Sequence, residues 1–260
     1  MRPARPPGPE NTIREDIRAI SAYTVQVSRG MVKLDAMENP YALPDWLRAE
    51  IGRAVQDAEI NRYPDPEAPG LKALLRNIMD IPQGFDILLG NGSDEIISMV
   101  VNAVADPGAV VMAATPAFAM YKMSAIIGKA KFVGVPIAPD FSLDPGRMLA
   151  AIEEHHPAAV FIAYPNNPTG NLFDEQAIAR VIENAPGLVV LDEAYHAFAG
   201  RSFMHKLREH PNLLVLRTMS KLGLVDSSSG APVLIPLGKN LAAAYGGAGS
   251  SSYTVACRMR

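Results

Sequence analysis

The chain has 260 residues, 48% hydrophobic and 20% charged, with a formal net charge of −3, a length that supports one large core or one domain plus part of a second. This balance excludes a general nucleic-acid or anionic-lipid binder, which selects a basic patch, and no stretch approaches the run of about 18 apolar residues that a membrane helix needs. One cysteine, Cys257, excludes an internal disulfide, no Cys/His set has zinc spacing, and the Pro/Arg-rich start lacks the apolar segment of a secretory signal, so a cytoplasmic setting is expected.

Residues 1–11 are proline-rich and are expected to lack regular structure. A short helical suggestion over Ile13–Ile20 leads to an isolated Ser21-Ala22-Tyr23, and residues 1–40 read as an N-terminal arm. Asn39-Pro40-Tyr41 forms a turn, because the residue before proline avoids the helical region, and Asp45 is expected to cap a helix carrying Leu47, Ile51, Ala54, Val55 and Ala58. Arg62-Tyr63-Pro64-Asp65-Pro66 is a rigid loop, after which Leu71, Leu74, Leu75 and Ile78 restore helical spacing.

From Asp86 onward short apolar runs alternate with helix-length segments. Ile87–Leu89, Ala109–Met112, Phe132–Val135, Ala159–Ile162, Leu188–Leu191 and Leu213–Leu216 read as strands buried on both faces. Ile96–Val104, Arg147–Glu154 and Glu175–Asn184 read as crossover helices. Residues 41–224 are therefore predicted to form one large α/β domain with a mostly parallel sheet, whose site collects at the carboxyl ends of the strands. Residues 225–260 differ: they are Gly/Ser-rich, carry few charges, and are expected to hold no helix or strand.

Four motifs sit at predicted strand ends. Gly90-Asn91-Gly92-Ser93-Asp94-Glu95 opens a helix, where free N–H groups, the dipole and the Ser93 hydroxyl suit a phosphate; ordinary capping by Ser93 accounts for the same residues. Pro116-Ala117-Phe118 offers a ring to stack on a planar group, or a core aromatic. Pro165-Asn166-Asn167-Pro168-Thr169-Gly170 is a rigid turn that presents an amide donor, and Leu191-Asp192-Glu193-Ala194-Tyr195 offers a carboxylate for a ring nitrogen. Arg217-Thr218-Met219-Ser220-Lys221 completes the set, with Lys221 placed where a desolvated amine becomes a nucleophile toward a carbonyl cofactor such as pyridoxal phosphate.

Taken in order, these motifs resemble those of fold-type I pyridoxal-phosphate aminotransferases. Glu38-Asn39-Pro40-Tyr41, Arg62-Tyr63-Pro64-Asp65, Pro165 to Gly170, Asp192 to Tyr195 and Arg217 to Lys221 are similar, more narrowly, to those of histidinol-phosphate aminotransferases, over roughly residues 13–224. The resemblance implies that Lys221 is the Schiff-base lysine and proton carrier, and that Asp192 pairs with the pyridine nitrogen. It implies further that Asn167 and Tyr195 donate to the ring oxygen and that Phe118 stacks on the ring. Gly92, Ser93, Asp94 and Ser220 would surround the cofactor phosphate, with Thr218 beside them. Tyr63 would reach the phosphate of a neighbouring subunit, implying a homodimer, and Tyr23 and Asn39 would contact substrate. The implied reaction moves an amino group between L-histidinol phosphate, a phosphorylated amine, and the 2-oxo acid 2-oxoglutarate, giving imidazole-acetol phosphate and glutamate.

The chain departs from the family after Leu224. The family carries a phosphate-gripping arginine seven or eight positions beyond the lysine, where this chain has Ser228 and Ser229, with no arginine between Arg217 and Arg258. Nor is there room for the family's small C-terminal domain of roughly 100 residues. The expectation is a C-terminally truncated or divergent member with a partly intact cofactor pocket, whose turnover an assay of residues 1–260 would decide. Two other readings are an aminotransferase for aromatic amino acids or a phospho-amino-acid decarboxylase on the same fold, and a non-catalytic fragment. A nucleotide-binding oxidoreductase lacks its dinucleotide fingerprint.

Overall fold

Alternation along the apolar runs decides the layering. Val111 and Ala113 pack in one cluster with Ala159, Phe161, Val190, Leu214 and Leu216. Their strand neighbours Met112, Val160, Ile162, Val189, Leu191, Leu213 and Val215 pack in the other. Successive side chains of a strand point to opposite faces, so these central runs feed two cores and need helices on both sides. The computed structural model describes residues 8, 12–20, 29–32, 42–59, 61–63, 65–219 and 221, and the backbone of 253–259.

The elements run α1 (Glu15–Arg18), α2 (Asp45–Gln56), α3 (Pro69–Ile78), β1 (Phe85–Asn91), α4 (Gly92–Val104), β2 (Val110–Thr115), α5 (Ala119–Ile127) and β3 (Lys131–Pro136). They continue with α6 (Pro145–His155), β4 (Ala159–Ala163), α7 (Glu175–Asn184), β5 (Leu188–Asp192), α8 (His196–Ala199), a 3₁₀ turn (Met204–Arg208), β6 (Leu213–Thr218) and β7 (Tyr253–Met259). Strand order is β1-β7-β6-β5-β4-β2-β3. The pairs β2–β3, β2–β4, β4–β5 and β5–β6 are parallel, and β7 runs antiparallel between β1 and β6. Leu71 and Leu75 of α3, Met148 and Ile152 of α6, and Ile178, Val181 and Ile182 of α7 cover one face. Ile96, Ile97, Val100 and Val101 of α4 and Tyr121 and Ala125 of α5 cover the other. No described helix is long and apolar enough to cross a membrane.

The mostly parallel α/β sheet with helices on both faces is as the sequence predicts. The runs of β1 and β3, expected to be buried on both faces, are part-exposed, with Leu88 and Gly134 open, because these strands are the two edges of the sheet. Four further differences stand. Helix α5 was not foreseen, because its buried stripe is Tyr121, Ser124 and Ala125, two of them small and one polar. Asp45 is the first helical residue of α2 rather than its cap, since Pro44 holds the N-cap position. The first helix is confined to Glu15–Arg18, where Arg14 donates to the Ile126 and Ile127 carbonyls at the end of α5. Finally, Tyr253–Met259, expected to carry no strand, forms β7: Thr254 lies opposite Thr218 on one side and Gly90 on the other. The rest of the Gly/Ser-rich stretch, residues 225–252, lies outside the described residues, as do Tyr23, Asn39 and Ser220.

Candidate active site

All the strands except β7 run the same way, so the ends of β1, β2, β4, β5 and β6 open on one edge of the sheet. There a cavity of about 190 Å³ is lined by Gly92, Ser93 and Asp94 from the start of α4, Phe118 and Tyr121 from the β2–α5 connection, and Ala163 and Asn167 after β4. Asp192, Ala194 and Tyr195 after β5, and Lys221 after β6, complete the lining. Eight predicted site residues therefore meet in one place. Thr218 ends β6 three residues before Lys221 and is absent from this lining, as is Tyr63, which is fully exposed at 102%.

Asp192 is 5% exposed. Its Oδ2 accepts from the Tyr121 hydroxyl at 2.7 Å and its Oδ1 from the Ala194 N–H at 3.0 Å. Burial pushes its carboxyl above the usual carboxylate range, and these two bonds pull it back. Tyr121 is itself wholly buried, stacked on Phe161 at 4.8 Å and edge-on to Phe118 at 5.8 Å. Lys221 is half-buried, its Nζ 5.4 Å from the centre of the Tyr195 ring. Desolvation raises the Asp94 carboxyl while the Lys221 ammonium opposes the rise, so one cation and two carboxylates share the cavity.

The turn after β4 divides its two asparagines. Asn166 is buried and donates to Thr169 Oγ1 at 2.7 Å, while its backbone exchanges bonds with Asn171 and Gly170. That fixes the loop and leaves Asn167 facing the cavity. At α4 the turn glycine is Gly92, with φ +79°, which only glycine adopts without strain. Ser93 is not the cap: Asn91 holds that position, and its N–H donates to Glu95 Oε2. The capping account of Ser93 therefore does not hold, and Ser93 is part of the cavity wall.

Behind the cavity, Glu193 and Arg217 form an ion pair of 2.7 Å with side chains 0% and 6% exposed. Arg217 also donates to Ser202 Oγ, and Glu193 accepts from Ser202 and the Phe203 N–H. This network bolts the end of β5 to the end of β6, the strands that carry Asp192 and Lys221. Sequence reasoning passed over Tyr121, Glu193, Arg217 and the two cavity alanines. The available signal for Tyr121 was its place one helical turn beyond Phe118.

Comparison with known proteins matches the geometry. The model of the family "Aminotransferase class I and II" matches residues 29–224. The chain is 54% identical over 220 residues to histidinol-phosphate aminotransferase 2 of Cupriavidus pinatubonensis, covering 83% of this chain and 60% of the relative. It is 54% identical over 217 residues to histidinol-phosphate aminotransferase 1 of Ralstonia nicotianae, covering 82% and 58%. The chain thus spans about three fifths of the length of these curated relatives. Among solved structures, the histidinol-phosphate aminotransferase of Sinorhizobium meliloti in complex with pyridoxal-5'-phosphate superposes with a TM-score of 0.69 at 23% identity, over 94% of this chain and 62% of that one. A Thermus thermophilus aspartate aminotransferase variant gives 0.67 at 17% identity, over 95% and 63%. The fold is that of the fold-type I aminotransferases, and, with the family model matching well over half of its length, the chain belongs to the class I and II aminotransferase family.

Proposed function

We propose that the protein is a pyridoxal-phosphate-dependent aminotransferase of histidine biosynthesis that moves the amino group of L-histidinol phosphate to 2-oxoglutarate. The observation that carries the reading is the convergence of Lys221, Asp192, Asn167, Phe118 and the Gly92–Asp94 turn, from five strand ends, on one cavity. Identity of 54% to relatives named for this reaction supports the choice of substrate.

Two features fit the cofactor. Asp192 is a buried carboxylate on the cavity wall with no cation bonded to it among the described residues, and burying such a group calls for a positive partner, which a protonated ring nitrogen supplies. The Gly92 turn opens a 13-residue helix, whose first N–H groups lack intrahelical acceptors and whose dipole favours an anion. Gly92, Ser93 and Asp94 would hold the phosphate end, joined by Thr218 and Ser220. Asn167 and Tyr195 would hold the ring oxygen, Phe118 the ring face and Asp192 the ring nitrogen.

When bound, the cofactor supplies an electron-withdrawing ring that takes up the electron pair of the substrate's Cα–H bond. The chain supplies position and protons. Lys221 Nζ would hold the aldehyde end of the cofactor and would carry the proton to and from the substrate's Cα, a role worth about 10²–10⁴-fold in rate. Asp192 would offer its negative charge to the ring nitrogen. Tyr23 and Asn39 are assigned to substrate, and Tyr63, exposed on this copy, to the phosphate site of a second copy in a cytoplasmic homodimer.

The test is a visible absorption spectrum of the full chain with added pyridoxal phosphate beside Lys221→Ala. A band above 400 nm in the wild type and none in the variant supports the reading; identical spectra overturn it.

A further inference from the structure

We propose that Tyr121 is a positioning residue of this site: its hydroxyl, bonded to Asp192 Oδ2 at 2.7 Å, holds the Asp192 carboxylate in the orientation and charge state that a protonated ring nitrogen requires. The inference rests on the cofactor reading above.

A carboxylate buried to this degree resists ionisation, and something must stabilise the anion without neutralising it. Lysine or arginine at this contact would compete with the ligand's own cation. A phenol does not, because it donates one neutral hydrogen bond. Glu193, the next residue, shows the alternative: it is paired with Arg217 and serves the strand junction. The two adjacent carboxylates are thus separated in role by what faces them.

Tyr121 also meets the geometric demand. Its ring is held by Phe161 on one side and Phe118 on the other, so the hydroxyl cannot swing away from Asp192. With Ala194 N–H on Oδ1, each oxygen has one donor, and a carboxylate oxygen keeps capacity for a second. Asp94 on α4 and Glu193 after β5 add negative field at this cluster, with the neutral Tyr195 phenol beside them, and Lys221 acts in the opposite sense at Asp94. Burial and the Asp192 charge raise the Tyr121 hydroxyl well above its ordinary value, so it stays a donor across the working pH range.

The experiment uses Tyr121→Phe in the full chain, which keeps the stacked ring and deletes the donor. Aspartate-carboxyl ¹³C NMR of the cofactor-free protein gives the Asp192 titration midpoint, and absorbance titration gives the dissociation constant for pyridoxal phosphate. The proposal expects the midpoint to rise by about one unit, a tenfold change, and binding to weaken at least about tenfold. A variant that melts lower but keeps the wild-type midpoint and affinity has lost only packing, which overturns the proposal. If wild-type protein takes up no pyridoxal phosphate, the cofactor reading falls, and the titration still decides whether Tyr121 sets the charge of Asp192. Should Tyr121→Phe not fold, a protected downfield tyrosine hydroxyl proton in the wild type, lost in Asp192→Asn, supports the contact; its absence from the wild type overturns it.

Discussion

Asp192 and Glu193 are neighbours in the chain, both buried, and both raised by burial above the usual carboxylate range. Only Glu193 has a cation bonded to it among the described residues. At Asp192 the folded-state pKa lies above the unfolded one, so ionising it near neutral pH opposes folding, and this cost shrinks as pH falls. Asp192→Asn is therefore expected to melt at or above the wild-type temperature at pH 7.5 in a thermal scan. The same change is expected to weaken pyridoxal phosphate by about 100-fold, the scale of losing one partner of a buried charged pair, roughly 3 kcal/mol. His196 gives the opposite slope. Burial, then the Arg217 charge, lowers it from 6.5 to about 4, so between those values the unfolded chain binds the proton and the folded one does not. Stability is expected to drop as pH falls from about 6.5 to 4, by on the order of 1–2 kcal/mol after allowing for the partly exposed ring. His196→Gln is expected to flatten that limb in urea melts. Lys221, Asp192 and Asn167 were legible because polar residues at the ends of apolar runs stand out. Tyr121 was not, since its partner lies 71 positions away and an aromatic in an apolar stretch reads as core.

Among the elements, β7 has the greatest leverage on the site. Its Tyr253 faces Asn91, next to the Gly92 turn, and its Thr254 faces Thr218, three residues before Lys221. A proline removes a ladder donor in a strand paired on both sides, at a cost of about 3 kcal/mol or more. Ala256→Pro is expected to raise hydrogen exchange in β1 and β6 together and to weaken cofactor binding, while β2 and β3 stay protected. Exchange confined to β7 would contradict the pairing. Strands β2, β4, β5 and β6 were readable because burial on both faces leaves continuous apolar runs, and the edge strands β1 and β3, part-exposed, by their short apolar runs alone. Strand β7 was hidden by the Gly/Ser-rich sequence before it, although Tyr253-Thr254-Val255 is itself β-prone. Helix α5 was hidden because burying Ser124 and Ala125 needs no stripe of large apolar residues.

On the scale of the molecule, the strand-end convergence that gathers eight predicted residues is a property of the parallel sheet, and it follows from the order of the motifs once the strands are placed. What sequence order does not give is distance: the cavity exists because β4, β5 and β6 are adjacent, the last two joined at their ends by Arg217 and Glu193. Tyr63, exposed on one copy, is expected to serve a second, so the chain should sediment as a dimer, and Tyr63→Phe should weaken cofactor binding about tenfold without changing that mass. The central claim is amino transfer, and the most direct measurement is a single turnover of the pyridoxal-phosphate-loaded chain with L-histidinol phosphate, without 2-oxoglutarate, following imidazole-acetol phosphate by mass spectrometry. Close to one equivalent per chain is expected from the wild type and none from Lys221→Ala. A loaded wild-type protein that releases none would contradict the claim of amino transfer.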